Sequence, residues 1–319
     1  GGRSINLALA ERGLNALRAA GLANAVLAQA VMMRGRMVHD LDASTNLQRY
    51  GIDDSEVICS VSRGVLNVQL LNAAEHAGAE LHFGQALLDA DFNGARIGLL
   101  DADGTRRDIE ADTLIGADGA GSALRAAMQR DTPLGERVEA LGHGYKELEI
   151  PPLADFPAAA LSPELQARRA NGNRFAIEPH ALHIWPRGNC MCIALPNSEG
   201  SFTVTLFLPN AGAPPSFADI TDAATARRYF QTNYADALPL MPDFDADFDA
   251  HPVGTLSTLY LDRWHLGGRA LLVGDAAHAI VPVHGQGMNA GFEDAAELAS
   301  LLASGAADMA SAFADFQHR

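Results

Sequence analysis

Short runs of apolar residues alternate with polar segments along this chain, and they predict strands and helices in turn. Residues 270–273 form an apolar run typical of a buried strand, and the apolar spacing over residues 286–302 predicts a helix. A second buried strand is predicted at residues 113–117, again followed by a helix. Further helices are predicted over residues 9–20, 62–77 and 221–233. This order of elements indicates an α/β fold with an α+β component.

The middle of the chain has a different pattern. Residues 145–150, 181–185, 191–195 and 202–208 are β-rich runs separated by proline and glycine turns, which predicts a mixed or antiparallel sheet. We therefore expect a discontinuous first domain, residues 1–135 and 252–319, interrupted by a β-sheet domain at residues 136–251. Residues 31–38 are predicted to be one strand, and the acidic stretch at residues 243–249 a solvated loop.

Composition narrows the class of protein. The 319 residues are 48% hydrophobic and carry a net charge of −16, which fits a globular chain and makes nucleic acid an unfavourable partner. No apolar run approaches the length of a membrane span. The three cysteines have no disulfide or metal-site spacing, so we expect a reducing cytoplasm, no metal, and a packing role for Cys190 and Cys192.

Residues 274–289 carry the most informative chemistry. They connect the strand at 270–273 to the helix at 286–302. Gly285 and Gly287 allow a ligand to approach the backbone closely, and the helix start offers N–H groups and partial positive charge to an electron-rich atom. Asp275 can accept hydrogen bonds from ligand hydroxyls. A plain strand–turn–helix connection is the alternative, but the clustering of these residues favours a cofactor loop.

This segment resembles the second flavin-binding motif of the FAD-dependent aromatic hydroxylases, which are class A flavoprotein monooxygenases. The resemblance implies an FAD-binding Rossmann-like domain interrupted by a substrate-binding β-sheet domain. It also implies that Asp275 binds the ribitol and that the loop of Pro282, Val283, His284 and Gly285 lies near the flavin ring. The cofactor-binding residues that it implies are Arg63, Asp118, Gly119, Asp275, Gly285, Gln286, Gly287, Met288 and Asn289.

Two of those positions also have simpler explanations. Asp118-Gly119, followed by Ser122 and Arg125, resembles a motif that serves FAD and NADPH in the same family, although a plain turn between elements is the alternative. Arg63 is predicted at a helix start, where its charge opposes the helix dipole. The resemblance implies a flavin contact for Arg63, and an exposed side chain directed into solvent is the alternative.

Two arginines among methionines suggest an anion site. Arg34 and Arg36 are predicted to share one strand face, and arginine is seldom buried without an anion. One of them could bind a carboxylate through two hydrogen bonds, with a phenol from Tyr50 nearby. Surface arginines on an edge strand are the alternative.

Several segments, at residues 32–37, 143–148, 181–186, 192–197 and 201–208, resemble the kynurenine 3-monooxygenase family. The resemblance implies that NADPH and O2 are consumed and that L-kynurenine becomes 3-hydroxykynurenine through a flavin C4a-hydroperoxide. The flavin would carry the reaction, so no catalytic side chain is assigned. Arg36 and Tyr50 would hold the substrate carboxylate. The wall of the slot would comprise Leu182, Met191, Ile193, Leu195, Thr205 and Phe207.

The chain also departs from the family pattern. The family's GxGxxG fingerprint and its C-terminal helical region are not found, so we expect a fragment. Val283 stands where the family usually has phenylalanine, which could loosen the flavin pocket. The alternatives are a related flavin hydroxylase of another aromatic acid and an inactive FAD-binding fragment.

Overall fold

The fold is described by a computed structural model that covers residues 6–282, 285–305 and 308–319. Val283 and His284, which were expected near a flavin ring, lie outside the described residues. The strands are β1 (Asn6–Leu9), β2 (Val31–Met33), β3 (Gly35–His39), β4 (Thr45–Arg49), β5 (Ile58–Ser62), β6 (Gln85–Asp91), β7 (Arg96–Asp101), β8 (Arg106–Glu110), β9 (Leu114–Gly116), β10 (Arg137–Ile150), β11 (Leu182–Arg187), β12 (Cys190–Pro196), β13 (Phe202–Pro209), β14 (Gly254–Tyr260), β15 (His265–Leu266) and β16 (Ala270–Leu272).

The helices account for most of the remaining regular structure. They are α1 (Glu11–Ala19), α2 (Ala23–Leu27), α3 (Arg63–His76), α4 (Ala123–Asp131), α5 (Pro163–Ala170), α6 (Ala223–Asn233), α7 (Phe244–Ala250), α8 (Asp275–His278), α9 (Gly287–Ala303) and α10 (Met309–His318), with 3-10 turns at Leu153–Asp155, Ala158–Ala160 and Leu238–Leu240. Within the described residues, no helix is both long and apolar enough to cross a membrane.

Contacts group the chain into two units. The first comprises residues 1–11, 24–69 and 142–256, and the second comprises residues 12–23, 70–141 and 257–319. This grouping differs from the division expected from the sequence, because residues 24–69 join the unit that contains the central sheet. The link is strand β3, which pairs in parallel with β11, so that Leu182 lies opposite Arg36.

The first unit is built on a mixed seven-stranded sheet in the order β14-β10-β13-β12-β11-β3-β4, together with a small sheet β1-β5-β2. Alternate side chains of the large sheet point to opposite faces. One face carries a core of buried residues, among them Trp185, Cys192 and Leu206, packed with Phe230 of α6 and Phe244 of α7. The rings of Phe230 and Phe244 lie 4.7 Å apart between centroids in an edge-on arrangement.

The second unit contains two smaller sheets. Strands β15-β16-β9 form one, with β16 parallel to β9, and β6-β7-β8 form an antiparallel meander. Leu272 of β16 packs with Leu124 and Met128 of α4, whereas Leu271 packs with Leu298 of α9 and Phe313 of α10. Helices therefore bury both sides of this short strand, which explains its uninterrupted apolar sequence.

The strand expected over residues 31–38 is broken at Arg34. β2 pairs with β5 in the small sheet, whereas β3 pairs with β4 and β11 in the large one, so the chain changes sheets between them. Gly35 permits the change, because a Cβ atom there would collide with the backbone oxygen of Gln48. The prediction that Arg34 and Arg36 share one strand face was therefore wrong.

The acidic stretch at residues 243–249 is helix α7 rather than a solvated loop. Phe244 and Phe248 are spaced by four residues and are both buried, so the helix is amphipathic despite its aspartates. Asp245 lies on its exposed side, with its Oδ1 2.8 Å from Nε of Arg227. The loop prediction counted charge and gave too little weight to the spacing of the phenylalanines.

The packing role predicted for Cys190 and Cys192 is confirmed. Cys59, Cys190 and Cys192 are free and buried, and Cys190 and Cys192 lie on the core face of β12. Burial raises the pKa of the Cys192 thiol, which keeps it protonated. Among the described residues, no group of three or more metal-ligating side chains comes together.

The packing of α7 can be tested by truncation. We expect Phe244→Ala to lower the free energy of unfolding of the first unit by about 3–5 kcal/mol, because a fully buried aromatic side chain is lost. Phe83 is 72% exposed, so Phe83→Ala should change the free energy of unfolding by less than about 0.5 kcal/mol. Urea unfolding followed by circular dichroism measures both. Equal effects of the two substitutions would contradict the burial of α7.

Candidate functional site

The turn after β16 is held by a carboxylate from α9. Gly274 has φ 57° and ψ −141°, a backbone conformation that favours glycine. Its N–H donates to Oδ2 of Asp294 at 2.6 Å, and Nε2 of His278 lies 2.7 Å from the same oxygen. The sequence predicted the order of strand, acidic turn, loop and helix, and the structure confirms it. The pairing of Asp294 with Gly274 and His278, which lie 20 and 16 positions earlier, has no local sequence signal.

The environment of His278 favours its charged form. Burial opposes the charge, but the hydrogen bond and the negative charge of Asp294 outweigh burial and raise the pKa of His278 above its ordinary value. The indole ring of Trp264 lies 5.0 Å from the imidazole between centroids. This pair of charged residues therefore stabilises the turn at Gly274.

Asp275 lies beside the start of α9 and exposes its carboxylate. A Cβ atom placed on Gly287, the first residue of α9, would lie 3.5 Å from Oδ1 of Asp275, so the glycine leaves open space next to that oxygen. Asn289 is fully buried and donates from Nδ2 to the carbonyl of Gly285 at 3.2 Å, which fixes the approach to the helix. Gln286 is the N-cap of α9, and Met288 is half-buried in its first turn. A hydrogen-bond acceptor and a positively polarised helix end thus stand side by side.

The carboxylate of Asp118 is engaged in capping α4. Its Oδ1 accepts from the hydroxyl of Ser122 at 2.5 Å, and its Oδ2 accepts from the N–H of Leu124 at 3.1 Å. Ser122 is the N-cap and accepts from the N–H of Arg125. Gly119 has φ 79°, which suits glycine. These contacts supply a structural reason for the motif, and the flavin and NADPH contacts of Asp118 and Gly119 stay predictions.

Arg125 connects the two acidic turns of the second unit. Its side chain is 8% exposed. Nη1 donates to the carbonyl of Ala276 at 3.0 Å and Nη2 to the carbonyl of Ala120 at 2.6 Å, while Nε lies 3.4 Å from Oε1 of Glu136. One guanidinium therefore holds together the backbone segments that follow Asp118 and Asp275. The fork of donors in arginine suits this role better than the single ammonium of lysine would.

Arg63 begins α3, as the sequence predicted, and its side chain is exposed. Across residues 6–282, 285–305 and 308–319, the structure gives it no salt bridge with an acidic side chain. Its charge at the helix N-terminus is unfavourable for the helix, so a reason outside the helix is required. The flavin contact implied for Arg63 remains a prediction.

The structure distinguishes the two arginines near β3. Arg34 forms a salt bridge with Asp54, with Nε 3.0 Å from Oδ2, and Arg49 pairs with the same carboxylate. Arg36 is exposed, and its Cζ lies 5.8 Å from the centre of the Tyr50 ring. In the described part of the chain, no carboxylate pairs with Arg36. Arg36 rather than Arg34 is therefore available to an external anion.

Tyr50 remains a phenol at neutral pH. Burial raises its pKa, and the hydrogen bond and charge of Arg36 only partly oppose that effect. A protonated phenol can donate a hydrogen bond to an anion that Arg36 attracts. The sequence predicted this pairing of Arg36 with Tyr50, and the structure brings the two side chains together.

A layer of mostly apolar side chains lies on the same face of the sheet as Arg36. Leu182, Met191 and Ile193 in it are half-buried, whereas Leu195 and Phe207 are buried. Leu182 lies opposite Arg36, Ile193 lies opposite Thr205, and Met191 lies opposite Phe207. These side chains occupy the face opposite the core, because the core residues Cys190, Cys192 and Ala194 alternate with them along β12. Leu195, two residues beyond Ile193, lies on the same face. The prediction that Met191, Ile193 and Leu195 share one strand face is thus confirmed, although their contact with a substrate is not tested.

Comparison with known proteins identifies the family. The FAD binding domain family matches residues 6–312. Kynurenine 3-monooxygenases of Stenotrophomonas maltophilia (strain K279a) and Xanthomonas axonopodis pv. citri (strain 306) are each 57% identical to the chain over 317 residues, which are 99% of the chain and 66% of each relative. The chain therefore spans slightly less than two thirds of the length of these curated relatives.

Solved structures share the fold at lower sequence identity. A tetrameric form of 2-methyl-3-hydroxypyridine-5-carboxylic acid oxygenase aligns with a TM-score of 0.75 at 20% identity, covering 100% of this chain and 76% of that one. Klebsiella pneumoniae HpxO, solved with FAD and uric acid, aligns with a TM-score of 0.70 at 18% identity, covering 99% and 74%. The predicted mixed α/β fold of the aromatic-hydroxylase type is confirmed. The chain belongs to the FAD binding domain family, and its predicted kinship with the kynurenine 3-monooxygenases is confirmed.

Proposed function

We propose that this protein is an FAD-dependent monooxygenase that consumes NADPH and O2 and hydroxylates L-kynurenine to 3-hydroxykynurenine. The observation that carries the proposal is the pairing of an exposed Arg36, without a carboxylate partner among the described residues, with Tyr50 at one end of an apolar sheet face. Such a surface suits a flat aromatic molecule with one anionic end. The names of the curated relatives support the same substrate.

The acidic turn and the start of α9 fit FAD. The exposed carboxylate of Asp275 can accept hydrogen bonds from ribitol hydroxyls, and the space left by Gly287 admits the ligand beside it. The N-terminal turn of α9 can donate to the electron-rich pyrimidine edge of the flavin. Bound FAD would supply the reaction with electrons from NADPH and with an activated form of O2. Arg63, Asp118 and Gly119 would add contacts around the same cofactor.

The sheet face would position the substrate. Arg36 and Tyr50 would hold the carboxylate through charge-assisted hydrogen bonds, which fixes one end of the molecule. Leu182, Ile193 and Phe207 would contact the aromatic ring and exclude water from it. From β3 to β13 the sheet spans three strand spacings, on the order of 14 Å, which gives an aromatic ring room beyond the cationic end. The protein would therefore orient the substrate and exclude water from it, rather than transfer a proton.

A related hydroxylase of another aromatic acid is the second candidate, because the Arg36–Tyr50 pair would accept any aromatic carboxylate. The two candidate functions differ in which aromatic ring the wall of the slot accepts, and a substrate screen distinguishes them. An inactive FAD-binding polypeptide is the third candidate, and it predicts flavin binding without turnover.

The turnover experiment addresses all three candidates. The full-length, flavin-loaded protein should oxidise NADPH faster in the presence of L-kynurenine and form 3-hydroxykynurenine, detected by mass spectrometry. 4-Hydroxybenzoate and anthranilate serve as competing aromatic acids. A flavin-loaded protein that is inert toward L-kynurenine but hydroxylates one of these acids would favour the second candidate. Inertness toward all three would favour the third.

The turn held by Asp294 should control FAD affinity. We expect Asp294→Asn to raise the Kd for FAD about 10–100-fold, because a hydrogen bond to a charged group contributes about 1.5–3 kcal/mol. Asp315 is exposed on α10, so Asp315→Asn should leave the Kd unchanged. Flavin fluorescence measures both values.

The His278–Asp294 pair should make the binding of FAD depend on pH. Since the folded protein raises the pKa of His278, protonation of His278 stabilises the turn fully below the ordinary histidine pKa of about 6.5. That stabilisation is lost as the pH rises through the raised pKa. His278→Gln should therefore weaken FAD binding most below about pH 6, and the difference from the unaltered protein should shrink as pH rises. A constant difference across pH would contradict the ion pair.

A matched pair of arginine substitutions tests the carboxylate site. Arg36→Lys should raise the Kd for L-kynurenine about tenfold or more, because lysine cannot make the two-pronged contact of a guanidinium. Arg34→Lys removes the same group two residues away, where it only pairs with Asp54, and should change the Kd less than about twofold. Quenching of flavin fluorescence by the ligand provides the measurement. Equal effects would remove the basis for the assignment to Arg36.

A further inference from the structure

A chain of polar side chains is buried behind the sheet, on the core face opposite Arg36. Nδ1 of His39 lies 2.9 Å from Oδ2 of Asp236, and Nε2 of His39 lies 2.8 Å from Nδ1 of His183. Nε2 of His183 lies 2.8 Å from the carbonyl of Glu178. His39 is 7% exposed and His183 is 2% exposed. The proposed reaction has no step that uses these residues.

The hydrogen-bond partners fix the protons in this chain. A backbone carbonyl only accepts, so Nε2 of His183 carries a proton and donates to Glu178. Burial lowers the pKa of His183 to about 4, so its Nδ1 is unprotonated at neutral pH and accepts from Nε2 of His39. The remaining nitrogen of His39 faces the carboxylate of Asp236.

The surroundings of Asp236 favour its carboxylate form. Burial opposes the charge of Asp236, but hydrogen bonds from His39 and from the indole Nε1 of Trp185, at 2.8 Å, outweigh it and lower the pKa of the carboxyl. The Trp185 ring stacks on His39 with centroids 4.1 Å apart and an interplanar angle of 22°. Buried His39 is thus held between half-buried Asp236 and buried His183.

Strand β3 has two neighbours in the large sheet. β4 forms five register pairs with it but consists of exposed residues only, and β11 forms three register pairs with it. The chain breaks out of the small sheet at Arg34, just before β3 begins. Behind the sheet, His39 ties the far end of β3 to Asp236 and to His183 of β11. Nη1 of Arg187, also on β11, donates to the His39 carbonyl at 3.0 Å.

We infer that the Asp236–His39–His183 chain is a positioning device for the carboxylate site: it holds β3 against β11 and so sets the place of Arg36, three residues from His39 on the other face. The inference rests on the proposed function, since Arg36 is assigned there to the substrate carboxylate. His39 and Asp236 are positioning residues, because they act through Arg36. Removing one member leaves a polar group of its neighbour without its hydrogen-bond partner behind the sheet, which displaces the strand.

The groups that face this chain come from several elements. β11 supplies His183 and Arg187, and the segment after α6 supplies Asp236 and Tyr234. The thiol of Cys192 on β12 stays protonated, as described above. Arg187 stands over the Tyr234 ring, with Cζ 5.4 Å from its centre, and bonds to backbone carbonyls. Among these groups, Asp236 is the acidic side chain within hydrogen-bond reach of His39.

The first test compares ligands with and without a carboxylate. In the full-length, FAD-loaded protein, His39→Gln should raise the Kd for L-kynurenine about tenfold. It should leave the Kd for FAD and for kynuramine, the decarboxylated analogue, within about twofold. His251 is a half-buried histidine bonded to the carbonyl of Glu147, so His251→Gln is the matched control and should change none of these values. An unchanged Kd for L-kynurenine in His39→Gln, or an equal loss for kynuramine, would overturn the inference.

Two substitutions at His183 distinguish the loss of the hydrogen bonds from misfolding of the protein. Glutamine can accept from His39 and donate to the Glu178 carbonyl, so His183→Gln should preserve L-kynurenine binding. His183→Leu keeps apolar bulk without these bonds and should weaken L-kynurenine binding about as much as His39→Gln. Equal behaviour of the two His183 variants would contradict a role for the hydrogen-bond chain.

A double-mutant cycle shows whether the effect passes through Arg36. The combination of Arg36→Ala with His39→Gln should bind L-kynurenine no more weakly than Arg36→Ala alone. Additive losses would overturn the positioning role.

Nitrogen NMR of histidine-labelled protein tests the proton assignment without a substrate. It should show a coupling across the hydrogen bond between Nε2 of His39 and Nδ1 of His183, and this coupling should be missing from His39→Gln. Absence of the coupling in the unaltered protein would overturn the inference. A protein that shows the coupling but binds no L-kynurenine would refute the proposed substrate and leave the hydrogen-bond chain intact.

Discussion

The parallel pairing of β3 with β11 is the interaction on which the candidate substrate surface depends. Without it, Arg36 would belong to a separate hairpin, and the apolar strands β11, β12 and β13 would have no cation at their edge. Parallel strands need a long connection between them, and here more than 140 residues separate the paired positions Arg36 and Leu182. In the proposed function, the anionic end and the aromatic part of the ligand are therefore bound by segments that are distant in sequence.

A second constraint operates in the other unit, where one carboxylate on α9 organises the acidic turn. Asp294 accepts from the backbone of Gly274 and from His278 through a single oxygen. Asp275, next to Gly274 in the chain, is exposed. Within the same unit, Arg125 donates to the backbone that follows each acidic turn. The turn that carries Asp275, for which we propose a flavin contact, thus rests on polar groups that contact the protein itself.

Most elements could be predicted from the sequence because their apolar spacing is regular. α9, β16, β11, β12 and β13 were predicted close to their observed bounds, whereas β10 begins at Arg137 rather than at residue 145 and β4 was not predicted. α7 was not, because its aspartates obscured two phenylalanines spaced by four residues. The break at Arg34 was not predicted either, since it depends on which sheet each half of residues 31–38 joins, and pairing between distant strands leaves no local pattern.

The residues of the candidate site likewise fall into two groups, those that the sequence indicates and those that only the structure brings together. Asp275, Gly287, Arg36 and Tyr50 stand out by residue type and neighbourhood. The partners of Asp294 and the buried histidines beside Asp236 emerge only when distant segments meet. The assignment of Arg36 over Arg34 likewise required the structure, because only the structure shows that Asp54 already neutralises Arg34.

The alternation of side chains along β12 has a consequence for how such a protein can change over time. Cys190, Cys192 and Ala194 face the core, while Met191 and Ile193 face the surface assigned to the substrate. In the proposed function, neighbouring codons therefore encode residues with different roles, one in the core of the fold and the next in the wall of the slot. A lineage could acquire preference for a different aromatic acid through substitutions at odd-numbered positions alone, while the even-numbered positions preserve the fold.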